Sequence, residues 1–408
     1  MTIFDCIVVG GGAAGIKAAI GAASIGERVC ILESNKTLAR KILISGNGRC
    51  NFTNLDADSV SHYHGPKNFV IDVIRAFPLK RTLEFFDDLG VVWKEEKRGR
   101  LFPSSDQAQS ILDLLEDRLK QLDIDVFTDQ RVATIQMSNK GFVVWNEKRN
   151  HWQAKRVIMA CGGISVSNLG ANDSGMTIAE SLGHSRSTLL PGLVALSSPN
   201  SFVRRMAGVK VWAQVSATLP DGRVVSDTDD LLFTKYGLSG FSILNLSARL
   251  VPMLNKNPIV ISINFFPGKS TEQINEMLKF RWARNGHRTL ELSFAGILNR
   301  KVARALLDSA DFNREKIVSR ITKGERWSLS KILSAWDVKV TDPRTFDHAE
   351  VTIGGIRVQD IDRRNLESTI VPGLHFCGEM VDVHGDLGGY NFQWAWASGH
   401  VAGTDGKL

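Results

Sequence analysis

Apolar runs alternate with glycine-rich and polar stretches along this chain, and five of these runs predict buried strands. They are IFDCIVV at 3–9, ERVCILE at 27–33, IDVFT at 124–128, RVIMACGG at 156–163 and GLHFCGE at 373–379. Strands of parallel sheets are covered on both faces and therefore read as nearly continuous apolar segments. We predict a five-stranded parallel sheet of the α/β class.

Helical periodicity and turn signals fill the intervals between these strands. Residues 69–77, 80–89 and 106–122 predict helices, the last with Ser104 and Ser105 as candidate N-caps, and residues 131–157 resemble a hairpin. The sheet is interrupted between about 190 and 350. The first half of that insert alternates like strands, as in VKVWAQVSATL, and the second half, as in TEQINEMLKFRWA and NREKIVSRITKG, reads as helical.

These patterns predict a division of the chain into domains. The first part of a nucleotide-binding domain spans 1–189 and its second part spans 351–408. A β-rich inserted domain takes 190–268 and 336–350, and a basic helical subdomain takes 269–335.

The first strand runs directly into GGGAAG, a GxGxxG motif followed by small residues at helical spacing. Gly10 permits the tight turn, Gly12 lets the backbone approach a pyrophosphate, and Gly15 permits close helix packing. Glu33, at the end of the second strand, can accept hydrogen bonds from an adenosine ribose. Strand, glycines, helix and terminal acid together predict a dinucleotide site.

Composition narrows the class of protein. The 408 residues are 43% hydrophobic, and the N-terminus has neither a signal-peptide pattern nor an apolar run long enough for a membrane span. The five cysteines include no CxxC pair, which argues against disulfides and a zinc site, so no metal is expected. We expect a cytoplasmic protein with reduced thiols.

The stretch KILISGNGRCNFTN at 41–54 follows the Glu33 strand by a few residues, so it leaves the carboxyl edge of the sheet, where ligands of such folds bind. Arg40 and Lys41 are expected to face phosphate or substrate charge. Arg49 and Cys50 are the reactive candidates. A buried, inert Cys50 is the alternative reading, because a sequence does not report a thiol pKa.

Three motifs carry a resemblance to a known family: KILISGNGRCNFTN, VTIGGI at 351–356 and GEMVDVHGDLGGYNFQWAWASG at 378–399. Together they resemble the BaiN/RdsA-like flavoproteins, also labelled aminoacetone oxidase family FAD-binding enzymes. The resemblance implies a Rossmann-like FAD-binding domain with a parallel sheet, interrupted by a β-barrel-like domain and a small helical domain.

The resemblance also implies roles for individual residues. The glycine turn is expected to bind the FAD pyrophosphate, Glu33 to bind the ribose, and backbone groups of Val132 to contact the adenine. Gly162 and Gly163 let the chain pass close to the dinucleotide, and the last helix directs positive charge at the flavin ring. The remaining cofactor residues implied in this way are Ala13, Ala14, Gly378, Glu379, Asp382 as the alternative to Glu379, Gly388, Gly389 and Asn391. His384 and Tyr390 join Cys50 as candidate proton donors, with a local structural role as the alternative for His384.

Charge is unevenly distributed. Between residues 271 and 335 there are thirteen Lys and Arg against seven Asp and Glu, which is six of the net seven positive charges of the chain. Arg281, Arg284 and Arg288 are candidates for contacting phosphates, for instance of ribosomal RNA. A solvated helix face is the alternative.

Two classes of function remain open. The first is an FAD-dependent oxidoreductase, with NADPH or NADH as a transient donor, that transfers hydride from flavin N5 to an activated carbon–carbon double bond. The resemblance implies as its substrate uridine in large-subunit ribosomal RNA, reduced to dihydrouridine, which the basic helical insert favours; the alternative is a small molecule such as a bile-acid-type enone or an amine. The second is an RNA-binding module with structural FAD. A monomer or homodimer is expected, without a membrane.

Overall fold

The computed structural model describes residues 3–254 and 257–407, which form two compact units. The first unit combines Met1–Leu190 with Val351–Leu408, and the second is Pro191–Glu350. We keep the finer division of the insert into a β-rich and a basic helical domain as a proposal. Within the described ranges, no helix is both long enough and apolar enough to cross a bilayer.

The strands are, in chain order, β1 Ile3–Val9, β2 Val29–Leu32, β3 Thr53–Asn54, β4 Tyr63–His64, β5 Trp93–Glu96, β6 Arg100–Pro103, β7 Asp125–Phe127, β8 Val132–Ser138, β9 Gly141–Asn146, β10 His151–Met159, β11 Leu190–Gly192, β12 Leu196–Ser197, β13 Lys210–Thr218, β14 Val224–Phe233, β15 Gly237–Ser239, β16 Ile259–Asn264, β17 Trp336–Val340, β18 Val351–Ile353, β19 Leu374–Phe376 and β20 His384–Gly385.

The helices are α1 Ala13–Ser24, α2 Arg40–Gly48, α3 Lys67–Ala76, α4 Leu79–Asp88, α5 Ala108–Gln121, α6 Ser174–Ser181, α7 Ser201–Arg205, α8 Phe241–Leu254, α9 Thr271–Arg284, α10 Leu290–Ser293, α11 Arg300–Ser309, α12 Lys323–Ser334 and α13 Tyr390–Thr404.

The predicted parallel sheet is confirmed. Its five parallel strands lie in the order β7, β2, β1, β10, β19, which is the doubly wound arrangement of nucleotide-binding folds. The antiparallel hairpin β8–β9 continues from the first half of β10. The residues of β2 are all buried, as expected for a strand covered on both faces.

Helix α13 packs closely along α1, and small residues make this possible. A Cβ on Gly399 would lie 2.4 Å from the Ala14 carbonyl oxygen, and one on Gly403 would lie 2.3 Å from that of Ala18. Both contacts advance by four residues in the same direction, so the two helices run parallel. Their N-termini, with their unpaired amides and positive dipole ends, therefore point the same way.

The second unit contains an antiparallel sheet in the order β12, β15, β14, β13, β16, β17. The residues after β17 return to β12, because the amide of Ser197 bonds to the carbonyl of Asp342 at 2.8 Å and that of Thr341 to the carbonyl of Ser197 at 3.0 Å. The sheet thus closes on itself, which confirms the predicted β-barrel-like architecture.

Two local predictions about helices were wrong. Gln107 precedes α5, without a side-chain cap, instead of Ser104 or Ser105. The helix expected at NREKIVSRITKG instead begins at Lys323, because a capping box between Thr322 and Glu325 starts α12 there.

Candidate cofactor site

The glycine turn between β1 and α1 has the geometry that its sequence predicts. Gly10 has a φ of 106°, and a Cβ there would lie 2.5 Å from the Ala160 carbonyl oxygen. A Cβ on Gly15 would lie 1.9 Å from the carbonyl oxygen of Gly10. Gly12 caps α1 ahead of Ala13 and Ala14, and its Cβ would meet no atom within 4 Å. Gly10 and Gly15 are thus fixed by packing, whereas Gly12 borders open space.

Glu33 lies beside this turn. Its carboxylate accepts hydrogen bonds from the backbone amide of Gly11 at 2.7 Å and from the backbone and side chain of Asn35, each at 2.7 Å. The backbone amide of Gln130, two residues before Val132, bonds to the Glu33 carbonyl oxygen at 2.9 Å. The end of β2, the glycine turn and the start of β8 are therefore joined at the carboxyl edge of the sheet. Ribose and adenine contacts of Glu33 and Val132 stay predictions.

The stretch after Ala39 differs from the loop that we expected. Residues Arg40–Gly48 form α2, which is broken where Ser45, Gly46 and Asn47 leave helical geometry. Gly46 and Asn47 have φ values of 56° and 59°, so the chain turns sharply there. Because of this break, one short segment contains both Lys41, in its helical part, and the asparagines that follow.

Lys41 connects the three family motifs. Its Nζ lies 2.7 Å from Glu379 Oε2 and 3.0 Å from Ser165 Oγ. The other oxygen of Glu379 accepts the amide of Thr352 at 3.1 Å, and the Thr352 hydroxyl oxygen accepts the amides of Ile164 and Ser165. Lys41 is thus neutralised by a carboxylate that we also predict to be a cofactor residue. Arg40 instead donates to the Asn35 side chain and to the Leu169 carbonyl oxygen.

Glycines open the same region on its other sides. Gly162 has a φ of 78°, and its Cβ would meet no atom within 4 Å, whereas Gly163 is packed against Thr352. Gly378 has a φ of 65°, and a Cβ there would lie 2.8 Å from the Ala14 side chain. Gly378 therefore lies beside the first turn of α1, and its role as a cofactor residue stays a prediction. Asp382 is half-buried near this point.

The start of α13 is held by the NFTN part of the first motif. Gly388 and Gly389 have φ values of 128° and 106°, and a Cβ on Gly389 would lie 2.4 Å from the Thr53 carbonyl oxygen. Asn54 Nδ2 donates to the Gly388 carbonyl oxygen at 2.8 Å. The Asn391 side chain bonds to both backbone groups of Gly385. These contacts fix the N-terminus of α13 against β3 and β20.

Arg49 and Cys50, the two reactive candidates of this stretch, lie in different environments. The Arg49 guanidinium lies 2.6 Å from Glu96 and stacks over the Phe102 ring at 4.4 Å. The Cys50 thiol is fully buried, and burial raises its pKa to about 12 despite a hydrogen bond with Ser45. Arg49 therefore does not activate this thiol, because its guanidinium is paired with a carboxylate and burial dominates the thiol pKa.

A cluster of histidines lies next to α13. Asp386 bridges His62 Nδ1 at 3.0 Å and His64 Nε2 at 2.8 Å, and Asp56 lies 2.9 Å from His62 Nε2. Burial raises the pKa of Asp386, but the bonds from both histidines outweigh it and bring the pKa down to about 2. The hydrogen bond to Asp386 also raises the pKa of His62, against some desolvation.

His384 and Tyr390 stack on this cluster. The His384 ring lies 4.8 Å from that of His64, and the Tyr390 ring lies 4.2 Å from that of His62. Burial lowers the pKa of His384 to about 3, and neither of its ring nitrogens has a partner in the described structure. The ring is therefore neutral at physiological pH and cannot act as an imidazolium acid. Burial raises the pKa of Tyr390, so its phenol stays protonated.

His62, His64 and Asp386 were not predicted from the sequence. The antiparallel pairing of β4 with β20 brings them together across more than 300 residues. The only local signal was two histidines two positions apart in HYH, which places both on one face of an extended segment.

One further group of titratable residues was not expected. Ligand atoms of Glu367, His375 and Asp405 lie within 4.8 Å of one another. Lys407 and Asn365 already bond to Asp405, so a cation there would compete with an existing positive charge. We propose no metal site.

The residues at this edge fit a bound dinucleotide. Gly12 and Gly162 both border open space where a Cβ would otherwise project. The amide oxygen of Asn51 is buried without a hydrogen-bond partner among the described residues. The parallel helices α1 and α13 direct their positive ends to the same side, which suits a pyrophosphate and an electron-rich ring.

The basic stretch at 271–335 uses several of its cations internally. Arg281 donates to the carbonyl oxygens of Ser293 and Ala295, so part of its guanidinium is used within the unit, and its contact with phosphate stays a prediction. Glu291 pairs with three further arginines, Arg300, Arg304 and Arg314. Arg284 and Arg288 have no carboxylate partner within the described ranges and remain available.

Comparison with known proteins agrees with this geometry. The model of a family described as "HI0933-like protein Rossmann domain" matches residues 4–405. A 3-dehydro-bile acid delta(4,6)-reductase of Clostridium scindens is 36% identical over 400 residues, with 97% of each chain covered. A ribosomal RNA dihydrouridine synthase of Escherichia coli is 31% identical over 411 residues, covering 99% of this chain and 98% of that one.

Among solved structures, the chain is similar to a 3-ketosteroid-delta4-(5alpha)-dehydrogenase from Rhodococcus jostii. The TM-score is 0.52 with 14% identity, covering 99% of this chain and 95% of the other. At this identity the likeness concerns the fold alone.

Proposed function

The chain belongs to the HI0933-like Rossmann family, and we propose that it is an FAD-dependent oxidoreductase that reduces an activated carbon–carbon double bond. The observation that carries the proposal is the shared edge formed by the glycine turn, the Lys41–Glu379 pair and the start of α13. That edge combines two helix N-termini with open space beside Gly12 and Gly162, as a flavin dinucleotide requires.

In this proposal the glycine turn holds the pyrophosphate, Glu33 the adenosine ribose, and backbone groups near Val132 the adenine. Glu379, fixed by Lys41, faces the ribityl chain, with Asp382 as the alternative. Gly388, Gly389 and Asn391 present the amides of α13 to the ring edge. Arg40 acts indirectly, because its bond to Asn35 supports the turn that holds Glu33.

Reduction with flavin bound would deliver a hydride to one carbon of the double bond, and a side chain of this protein would have to supply a proton to the neighbouring carbon. We assign that proton to Tyr390. Its phenol stays protonated at neutral pH, it begins α13, and it stacks on His62, whose partly exposed side chain can exchange protons with solvent. Cys50 is the alternative donor, because a thiol with a pKa of about 12 is also protonated.

We propose uridine in large-subunit ribosomal RNA as the substrate, reduced to dihydrouridine. The concentration of net positive charge at 271–335 supports a polyanionic partner, and two relatives carry this activity in their names. A cytoplasmic location follows from such a substrate. NADPH or NADH is proposed as a transient donor.

A small-molecule enone is the second candidate substrate, because the bile-acid reductase is the more identical of the two named relatives. Both candidates require the same conjugate reduction. One experiment with purified protein distinguishes the two substrates. The flavin is first reduced under anaerobic conditions with NADPH or NADH. Either ribosomal RNA lacking dihydrouridine or a steroid enone is then added, and the recovery of flavin absorbance is followed. Rapid reoxidation by RNA alone supports the proposal. A flavin that no donor bleaches would contradict any redox role.

A further inference from the structure

Helix α9 exposes an aromatic ring within the basic stretch of the second unit. The Phe280 side chain is 62% exposed, and the guanidinium of Arg284, one turn later, lies 4.3 Å from the ring centroid. A phenylalanine this exposed gains little from burial, so packing of the folded chain does not account for it. A single exposed apolar side chain is common, however, and its surroundings must decide what it does.

The helix that carries Phe280 is firmly anchored. A capping box between Ser270 and Gln273 fixes its start, and Leu278 and Trp282 are buried on its inner face. Arg281, the next residue along, donates to the carbonyl oxygens of Ser293 and Ala295 and so ties α9 to the segment at α10. The ring is therefore presented on a rigid element, and ordering it costs a partner little entropy.

The stretch that carries the ring, residues 271–335, has a net positive charge. Several acidic residues of this stretch are already in ion pairs. Glu276 pairs with Lys279, Glu291 pairs with three arginines, and Glu325 pairs with Lys316. Within residues 271–335, which the structure describes in full, the basic side chains with no carboxylate at ion-pair distance include Arg284, Arg288, Lys301, Arg320, Lys323 and Lys331. His287, in the turn after α9, is exposed.

An exposed aromatic ring beside an arginine with no carboxylate partner, on a stretch of net positive charge, suits unpaired nucleotides, because a base can stack on the ring while cations contact phosphates. A guanidinium already over the ring adds a planar cation against which a base can also stack. A protein partner would need a larger apolar surface than one phenylalanine.

We infer that Phe280 and Arg284 form a stacking platform for an unpaired base of a single-stranded RNA segment. The inference rests on the proposed RNA substrate and adds to it: the second unit recognises a loop or bulge, and not only the charge of a duplex. Base stacking is tolerant of sequence, so the platform supplies affinity and placement without reading a particular base.

The test measures binding of a fluorescein-labelled, unstructured uridine-containing oligoribonucleotide and of a duplex of equal charge to the full-length protein by fluorescence anisotropy. Phe280→Ala should weaken single-strand binding by about 5- to 150-fold, the range for loss of one stacked base. Duplex binding should stay within about twofold, because no charge is removed. Phe280→Trp should restore single-strand affinity.

Two variants serve as controls. Trp212→Ala removes another exposed aromatic side chain of the same unit, on β13, and should leave both affinities unchanged. Arg284→Glu should weaken the binding of both RNA ligands and flatten the dependence of log Kd on log salt. Phe280→Ala should leave that salt dependence unchanged.

Unchanged single-strand affinity in Phe280→Ala, with wild-type protein that binds and reduces RNA, would overturn the stacking platform and leave the proposed function standing. A wild-type protein that binds neither the single-stranded nor the duplex RNA would overturn both the stacking platform and the proposed function.

Discussion

Lys41 Nζ lies 2.7 Å from the carboxylate of Glu379, across 338 positions of sequence. The pair joins α2 to the GEM segment before α13, and Thr352 holds the second oxygen of the same carboxylate. Two family motifs that appear unrelated in sequence thus meet through one ion pair, and a third supports it.

Replacing Lys41 by Met should release Glu379 and weaken FAD retention. Because Lys41 is partly exposed, we expect a loss of about 1 kcal/mol in flavin binding, or about fivefold in Kd. Titration of apoprotein with FAD, followed by flavin fluorescence, measures it. Lys36→Met, which removes an exposed lysine of the preceding loop, should have no effect. Adding Glu379→Gln to Lys41→Met should cost less than the sum of the two single changes, and full additivity would contradict the coupling.

Gly12 and Gly15 should respond differently to substitution. Gly12→Glu projects into open space, so the protein should fold normally but remain colourless, because the side chain takes the pyrophosphate position. Gly15→Ala should instead lower stability by several kcal/mol, since its Cβ would lie 1.9 Å from the Gly10 carbonyl oxygen. Thermal unfolding without flavin and the ratio of absorbance at flavin and protein wavelengths distinguish them. A yellow Gly12→Glu protein would place the pyrophosphate elsewhere.

Tyr390 and Cys50 compete for the role of proton donor. Tyr390→Phe should retain FAD and be reduced normally by the donor, but reoxidation by substrate should slow by at least about 10². Cys50→Ala should keep that rate within about twofold and lower the free energy of unfolding by about 1 kcal/mol, as expected for a small buried side chain. Stopped-flow absorbance separates the two half-reactions. The reverse pattern would assign the proton to Cys50.

The Asp386 bridge predicts a characteristic pH dependence of stability. The folded pKa of Asp386 is about 2 against an ordinary value near 4, so its contribution is present above about pH 4 and is lost as pH falls toward 2. The pKa of His62 is raised, so its contribution is present below about pH 6.5 and is lost as pH rises through the folded value.

Asp386→Asn should therefore lower the free energy of unfolding at pH 6 by about 2 kcal/mol, and by less at pH 9, where His62 is neutral. Urea unfolding at both pH values measures this. Asp87→Asn, at an exposed position of α4, provides the control and should show no such difference. An equal loss at both pH values would mean that the bridge does not depend on a charged His62.

The parallel sheet and the glycine turn could be predicted because each depends on residues adjacent in sequence: an apolar run, three glycines and a terminal acid. The break in α2 was missed because SGNG resembles an ordinary loop. The structure instead has a helix that begins at Arg40 and is broken within SGNG. The Asp386 bridge and the Arg49–Glu96 pair depend on strand pairings between distant segments. No local pattern carries such contacts, so the adjacency of Arg49 and Cys50 in the sequence was misleading.

We propose that this chain uses FAD to reduce uridine in ribosomal RNA. Mass spectrometry of nucleosides from purified large-subunit RNA tests it most directly, in cells that lack the gene and in the same cells complemented with wild-type protein or with Gly12→Glu. We predict that dihydrouridine is lost from one RNA position in the deletion strain, returns with the wild-type protein and does not return with Gly12→Glu. An unchanged dihydrouridine content in the deletion strain would contradict the account.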